Sequence, residues 1–502
     1  MRAAFLLLLA ALVVRAGDWP FGAGRSGFVR LDLYNLGILG AKASDASKAP
    51  PSNTPPHGGL RSTRIEPGGD EGPSALRIEL LFPDGPAEKA GLEKGDVLIG
   101  IGSAKFSKGS LDPLAKALRK AEAGRGEVTL ILRRAGKTTR LKVAVPVPGK
   151  PAAKPTRGKG RRLLIDGALD WLAKRQTPQG GYPQTLSGLN GAVVLTSLAG
   201  LAWLGAGNDL ENGPYKENVQ RAAEWVAKSV RDLGGELGMG QRQPGGPSWN
   251  QSNWGYAHAA VFLGELHKRT PSRNVLDALF YCAKRLVETQ EQSGGWAHGP
   301  GGPNALGYLE LNIVTALALC GLGLAHQNGF EVPKQTLRKA ETYLKASSSG
   351  GGVGYSDRPG QKGQGNIGRS AGCWLGYLSL GRAKTKFGKA LGNYVRHNAD
   401  KVFGGHASLM QHILLAGVAA QAMGGAVSRA YWKACERDLV LAHSPDSSFQ
   451  PRPWHETLSM GSNSDVTFGE VWTTAAWTVV LVSAADAKEG TVGFPAWFNR
   501  AK

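Results

Sequence analysis

From Leu163 to about residue 487 the chain alternates two kinds of hydrophobic segment. The first kind is amphipathic around a central large residue. Its members are ALDWLAK (Trp171), AAEWVAK (Trp225), LFYCAKR (Tyr281), AETYLKA (Tyr343), LGNYVRH (Tyr394) and KACERDL (Cys435). In the second of these, Ala222, Trp225, Val226, Val230 and Leu233 fall on one helical face. The second kind is apolar nearly all round, as in AVVLTSLAGLAWL from Ala192 and NIVTALALCGLGLA from Asn312. Such helices belong in a buried inner layer, and their apolar runs are too short to span a bilayer, which takes about 20 residues. Glycine-rich turns join the two kinds, and the unit recurs six times with a period near 50, so the segment is a repeat architecture. Six helical hairpins of this design predict a double-layered all-α (α/α)6 toroid over 163–487.

Residues 28–147 follow a different pattern. LRIELLF (Leu76–Phe82), DVLIGI (Asp96–Ile101), Glu127–Arg133 and Thr138–Val145 read as strands, the last two as a hairpin around Ala135-Gly136-Lys137. Gly85–Leu92 reads as one helical turn stopped by Gly91, and a longer helix is predicted from Asp112 as cap to about Ala123. The run GPAEKAGLEKGDVLIGIG (Gly85–Gly102) carries Ala87, Ala90, Gly91, Leu92, Gly95, Asp96 and Leu98 in the pattern by which this small α+β unit resembles a bacterial PDZ domain. The resemblance extends to NLGILGA (Asn35–Ala41), similar to that family's carboxylate-binding loop. It implies that the backbone N–H groups around Gly37, Ile38, Leu39 and Gly40 hold a peptide C-terminus. The ligand would add as a strand against the helix carrying Leu114 and Leu118. An insert with six prolines, Ala41–Ala75, either lies across this groove or stands clear of it.

Between the two regions, Pro148–Arg162 holds six basic residues, no acidic ones, three prolines and three glycines, and reads as a solvated basic linker. At the other end of the chain, 488–502 is a short tail. The first 16 residues carry Arg2, an apolar run Ala3–Val14 and small residues at Val14 and Ala16, the pattern of a cleaved signal peptide. The expectation is an exported protein, periplasmic or extracellular, with no transmembrane segment after cleavage. Sixty basic against 39 acidic residues give a formal charge of +21, which favours anionic neighbours. Export argues against nucleic acid and leaves acidic glycan and anionic lipid as partner classes. Cys282, Cys320, Cys373 and Cys435 are widely spaced in helix-like segments, as buried thiols are, and form no disulfide framework.

The turns QGGYP (Gln179–Pro183) and QSGGWAH (Gln292–His298) make the repeat region resemble the toroid of terpene cyclases, protein prenyltransferase β-subunits and thioester-domain proteins. A PDZ module ahead of it also resembles an uncharacterised bacterial family with this arrangement. The motifs that serve those toroid chemistries are missing: D-x-D-D, D-D-x-x-D, D-x-C and G-C-G-E-Q do not occur, nor do HExxH, a phosphate-binding P-loop or G-x-S-x-G. No cofactor and no metal is implied.

What remains is a set of polar and aromatic residues at the starts of the inner helices, where a toroid has its mouth. Candidate catalytic groups are Tyr256, His258, Glu310, Arg369 and Glu470; candidate cavity residues are Trp254, Asn312, His406, His412, Asp465 and Trp472. Burying such groups costs free energy unless they pair or meet a ligand. A non-catalytic exported binding protein needs none of the missing motifs: its PDZ module captures a protein C-terminus or extended segment and its toroid is a recognition scaffold. The alternative is a carbohydrate-active enzyme, either a glycoside hydrolase using two carboxylates such as Glu310 and Glu470, or a polysaccharide lyase using Tyr256 or His258 with Arg369.

Overall fold

The computed structural model describes residues 33–47, 72–183, 188–233, 251–299, 311–405, 408–451 and 464–484. The N-terminal module is an antiparallel sheet of β1 (Tyr34–Asn35), β2 (Ala41–Asp45), β3 (Leu76–Leu81), β4 (Val97–Ile101), β5 (Ala104–Lys105), β6 (Glu127–Arg134) and β7 (Lys137–Ala144). The strands run in the order β1-β2-β3-β4-β6-β7, with β5 added to β4. β2 pairs with β3 from Ala41↔Leu81 to Asp45↔Leu76, so the insert begins as a strand; its residues 48–71 lie outside those described. Two helices complete the module, α1 (Pro86–Lys89) and α2 (Leu111–Ala123). Ser110 takes the cap position of α2 and Asp112 lies inside the first turn, one residue before Pro113. Proline is tolerated there because the first-turn N–H groups have no intrahelical partner.

The basic segment is folded, contrary to its reading as a solvated linker. A short 3-10 helix covers Lys150–Ala153 and α3 (Gly158–Arg175) already begins at Gly158. The reason is Gly160: a Cβ there would stand 2.2 Å from the carbonyl oxygen of Pro151, so only glycine lets the two pieces touch.

Among the described residues, twelve helices beyond α2 form two layers. The outer layer is α3, α5 (Lys216–Ser229), α7 (Arg273–Glu288), α9 (Lys334–Ala346), α11 (Lys386–Asn398) and α13 (Gly425–Ala442). The inner layer is α4 (Gly188–Gly205), α6 (Ser252–Arg269), α8 (Asn312–Gln327), α10 (Ile367–Ser379), α12 (Leu409–Met423) and α14 (Ser464–Ser483). Each inner helix packs against the next, and α14 returns to α4, which closes the (α/α)6 toroid. α4 is long and apolar enough to cross a membrane by length and composition, and its residues are buried inside the ring. The four cysteines are buried thiols.

One turn design links hairpin to hairpin. In Gln176–Tyr182 the Gln176 amide donates to the carbonyls of Gly180 (2.8 Å) and Asn218 (3.0 Å), and in Gln290–Trp296 the Gln290 amide donates to those of Gly294 (2.9 Å) and Thr336 (3.0 Å). The aromatic residue ending each turn points back into its own hairpin, Tyr182 hydroxyl to the Leu172 carbonyl and Trp296 Nε1 to that of Leu286. Its backbone N–H donates to an inner-helix hydroxyl, Thr196 or Thr315. Val353 on Ser370 and Phe449 on Thr474 repeat this last bond where the glycines differ. The turn lies so close to the next outer helix that a Cβ on Gly294 would be 2.3 Å from the Lys339 carbonyl oxygen.

Gly294 also has φ +106°, so Gly294→Ala meets both a left-handed backbone and a backbone collision. We expect it to lower stability by roughly 2–4 kcal/mol. Gly91→Ala, at φ +85° with open space around it, should cost only about 1 kcal/mol. Urea unfolding of the two variants checks the difference.

Candidate functional site

The residues expected to bind a peptide come together at one edge of the N-terminal module. A 3-10 turn, Gly37–Leu39, ends on Gly40 in the left-handed region, and Leu114 and Leu118 project from α2 beneath it. This edge is not open: the last turns of α13 are seated on it. Val440 and Leu441 join the module's hydrophobic core, and a Cβ on Gly37 would be 2.8 Å from the Val440 carbonyl oxygen and 3.2 Å from Leu118 Cδ1. Gly40 has the same relation to Pro445 at 3.0 Å. Alongside the loop, β1 covers the outer edge of β2 through Tyr34↔Ala43 and Asn35↔Lys42, where an added strand would pair. Peptide addition in the arrangement drawn from the resemblance therefore requires α13 and β1 to give way.

Polar contacts fix the seat. Arg119 of α2 pairs with Glu436 of α13, which also accepts from Thr156 Oγ1 at 3.0 Å, and Arg437 reaches Asp112 at 3.5 Å. The Asn35 amide donates to the Pro451 carbonyl at 3.1 Å. Lys42 on β2 is buried opposite Glu470 of α14. Burial lowers the Lys42 ammonium to about 8 and raises the Glu470 carboxyl, each opposed by the other's charge. Glu470 is thus part of the seat between module and ring. The cavity left between Tyr34, Leu111 and Trp477 is only about 40 Å³, room for about one water.

At the starts of the inner helices an asparagine recurs with one job. Asn253 donates to the Ala297 carbonyl (2.9 Å), Asn312 to Gly354 (3.0 Å) and Asn366 to Gly404 (2.9 Å), each tying an inner helix to the turn of the next hairpin. His412 is bonded through Nδ1 to Asn366 Oδ1 at 2.7 Å. Arg369 donates from Nε to the Val353 carbonyl and from a terminal nitrogen to that of Gln364, with Tyr355 under its guanidinium at 5.6 Å. Burial lowers that guanidinium to about 10. Asp465 accepts from Ser408 Oγ (2.6 Å), the Met410 N–H (2.9 Å) and Trp472 Nε1 (2.8 Å), which accounts for both its oxygens. Trp472 is buried in the ring core. Tyr256 gives its hydroxyl proton to the Leu233 carbonyl, and burial lifts it to about 12. Glu310 and His406 lie outside the described residues.

A different group stands out beside them. His258 donates from Nδ1 to the Trp254 carbonyl at 2.9 Å, so its Nε2 carries the free lone pair; this atom is buried with no partner among the described residues. The half-buried Trp254 indole lies nearly parallel to the His258 ring at 6.4 Å and to the His298 ring at 5.8 Å. Its Nε1 donates to His298 Nδ1 at 2.7 Å. Burial lowers both imidazoles to about 4, so both are neutral at neutral pH. The Gln411 amide, at the start of α12, is likewise buried with neither atom partnered among the described residues. Sequence reasoning missed His298 and Gln411; His298 closes the QSGGWAH turn, and that position was its signal. Among the described residues no group of three or more His, Cys, Asp or Glu side chains could hold a metal ion. Chemically, Trp254 and His258 offer a flat indole beside a buried acceptor; Gln411 stands apart from them on α12, which packs against α10 and α14 in the inner layer.

The family model described as a domain of unknown function (DUF6288) matches residues 164–482, and a PDZ domain model matches 78–134. No curated protein matches. Among solved structures, a protein from Actinoplanes is similar at 16% identity over 65% of this chain and 99% of its own, with a TM-score of 0.40. An unsaturated glucuronyl hydrolase from Streptococcus agalactiae is similar at 11% identity over 64% and 91%, with a TM-score of 0.41. The type II terpene cyclase MstE from Scytonema is similar at 14% identity over 64% and 97%, with a TM-score of 0.35.

The buried histidines have a measurable signature. His258, His298 and His443 stay neutral in the fold down to about pH 4, whereas the unfolded chain protonates them near 6.5. Below pH 6.5 the unfolded state binds more protons, so stability is lost as pH falls from 6.5 towards 4, by about 1–2 kcal/mol per histidine between 6.5 and 5. Urea unfolding at both pH values should show a shallower loss in His258→Asn than in the parent; equal losses would refute the assignment.

Proposed function

We propose that this chain, which belongs to the DUF6288 family, is an exported binding protein and not a catalyst, with the toroid as its recognition scaffold and the PDZ domain as its protein-binding module. One observation carries the reading. Arg369, Tyr256, Asp465 and Glu470, the groups that would serve as acid, base or charge clamp, are committed to bonds or charge contacts that hold the fold together, while His258 Nε2 is left as a buried acceptor beside the half-exposed Trp254. A flat aromatic face next to a neutral acceptor suits a hydroxyl-rich ring, and the formal charge of +21 favours an acidic glycan among these. Burial lowers the His258 imidazole to about 4, which makes it too weak a proton acceptor for a general base at neutral pH but suits it to accepting a hydrogen bond. The signal-like first 16 residues support export.

The test is binding of the full chain to an array of acidic and neutral glycans, with product analysis of every hit. The expected result is binding without turnover, weakened at least tenfold in Trp254→Ala and several-fold in His258→Ala. Cleavage products that disappear in Glu310→Gln or Arg369→Ala would overturn the reading in favour of a carbohydrate-active enzyme.

A further inference from the structure

A second groove, of about 370 Å³, runs between α2 of the PDZ domain, the folded basic segment and the α3–α13 side of the toroid. That volume is within the range of specific ligand pockets. Its walls are apolar: Val147, Pro148, Leu163, Leu164 and Val440 line it. Val147 and Leu163, at 52% and 40% exposure, are the exposed large hydrophobic side chains among the described residues, and both stand here.

Into this apolar wall is set one carboxyl, Glu122 on α2, which is only 9% exposed. The other ionisable liners are spoken for or neutral. Arg119 pairs with Glu436, and burial keeps the His443 imidazole uncharged at neutral pH. No hydrogen bond or ion pair to the Glu122 carboxyl is found among the described residues, and burial alone lifts it to about 7. An unpaired buried carboxyl is costly, and the cost is recovered when a cation meets it.

We propose that this groove binds a lysine side chain on an extended segment of a partner protein, the stem lying on Val147, Leu163 and Leu164 and the ammonium reaching Glu122. Lysine fits better than arginine, because its four-carbon stem matches apolar walls and its ammonium is a point charge. The five donors of a guanidinium would outnumber the acceptors one carboxylate offers. An acidic or purely apolar segment leaves Glu122 repelled or unpaired. The choice of a protein segment rests on the reading of the PDZ domain as a protein-binding module.

The experiment is calorimetric titration of the full chain at pH 8 with acetyl-Val-Lys-Val-Leu-amide, its norleucine and glutamate counterparts, and n-butylamine. We expect the lysine peptide to bind at least tenfold more tightly than any of the other three. In Glu122→Gln its advantage over norleucine should shrink to within twofold while the norleucine peptide is unaffected, and Leu163→Ser, at an exposed position, should weaken both. Equal binding of the lysine and norleucine peptides, or a preference that survives in Glu122→Gln, overturns the inference and leaves protein capture standing. Butylamine binding as tightly as the lysine peptide, or with no peptide binding at all, overturns it together with the protein-binding reading of the module.

Discussion

Helix α13 packs on two partners at once, and the arrangement of the whole molecule depends on that. One of its faces, through Tyr431, Cys435 and Leu439, belongs to the toroid core; the other presents Glu436, Val440 and Leu441 to the N-terminal module. Residues four apart fall on the same side of a helix, so 431, 435 and 439 fill the ring while 436 and 440, one position on, turn towards the module. Gly37 completes the contact, since any side chain there would strike the Val440 carbonyl. The module is consequently held by its Gly37–Gly40 loop, the one expected from the sequence to take a peptide C-terminus.

The ring that carries α13 is built from small residues and shared polar bonds. Inner helices approach closely where glycine stands in the contact: a Cβ on Gly376 would be 2.6 Å from Leu319 Cβ, and one on Gly417 would be 2.7 Å from Val480 Cγ1. Such helices cannot offer water to the turns above them, so the turns take their bonds from Asn253, Asn312, Asn366, Thr196 and Thr315. Polar residues at the inner-helix starts are thereby mostly structural. Those that escape this duty, His258 through Nε2 and Gln411 through its amide, mark where a ligand's polar groups would be welcome.

The hairpin repeat was legible because its signal is periodic. Amphipathic and all-apolar segments alternate, and each central residue of an amphipathic segment, from Trp171 to Cys435, lies inside an outer helix. The hairpin at Ala135-Gly136 and the stop at Gly91 were legible for the same local reason, a positive φ that glycine tolerates. Three features were hidden because they depend on contacts distant in sequence. The basic segment looks solvated until Thr156 is found bonded to Glu436; KACERDL shows one apolar face and gives no sign of the second partner at Glu436; and His412 looks like a cavity residue until found bonded to Asn366.

The claim on which the rest turns is that module and toroid form one body through α13. It is tested most directly by double electron–electron resonance between spin labels at Lys105 on β5 and Lys284 on α7, both exposed. A single narrow distance distribution in solution is predicted. A broad distribution, or two populations, would mean that the module swings free of the ring, and would contradict the account.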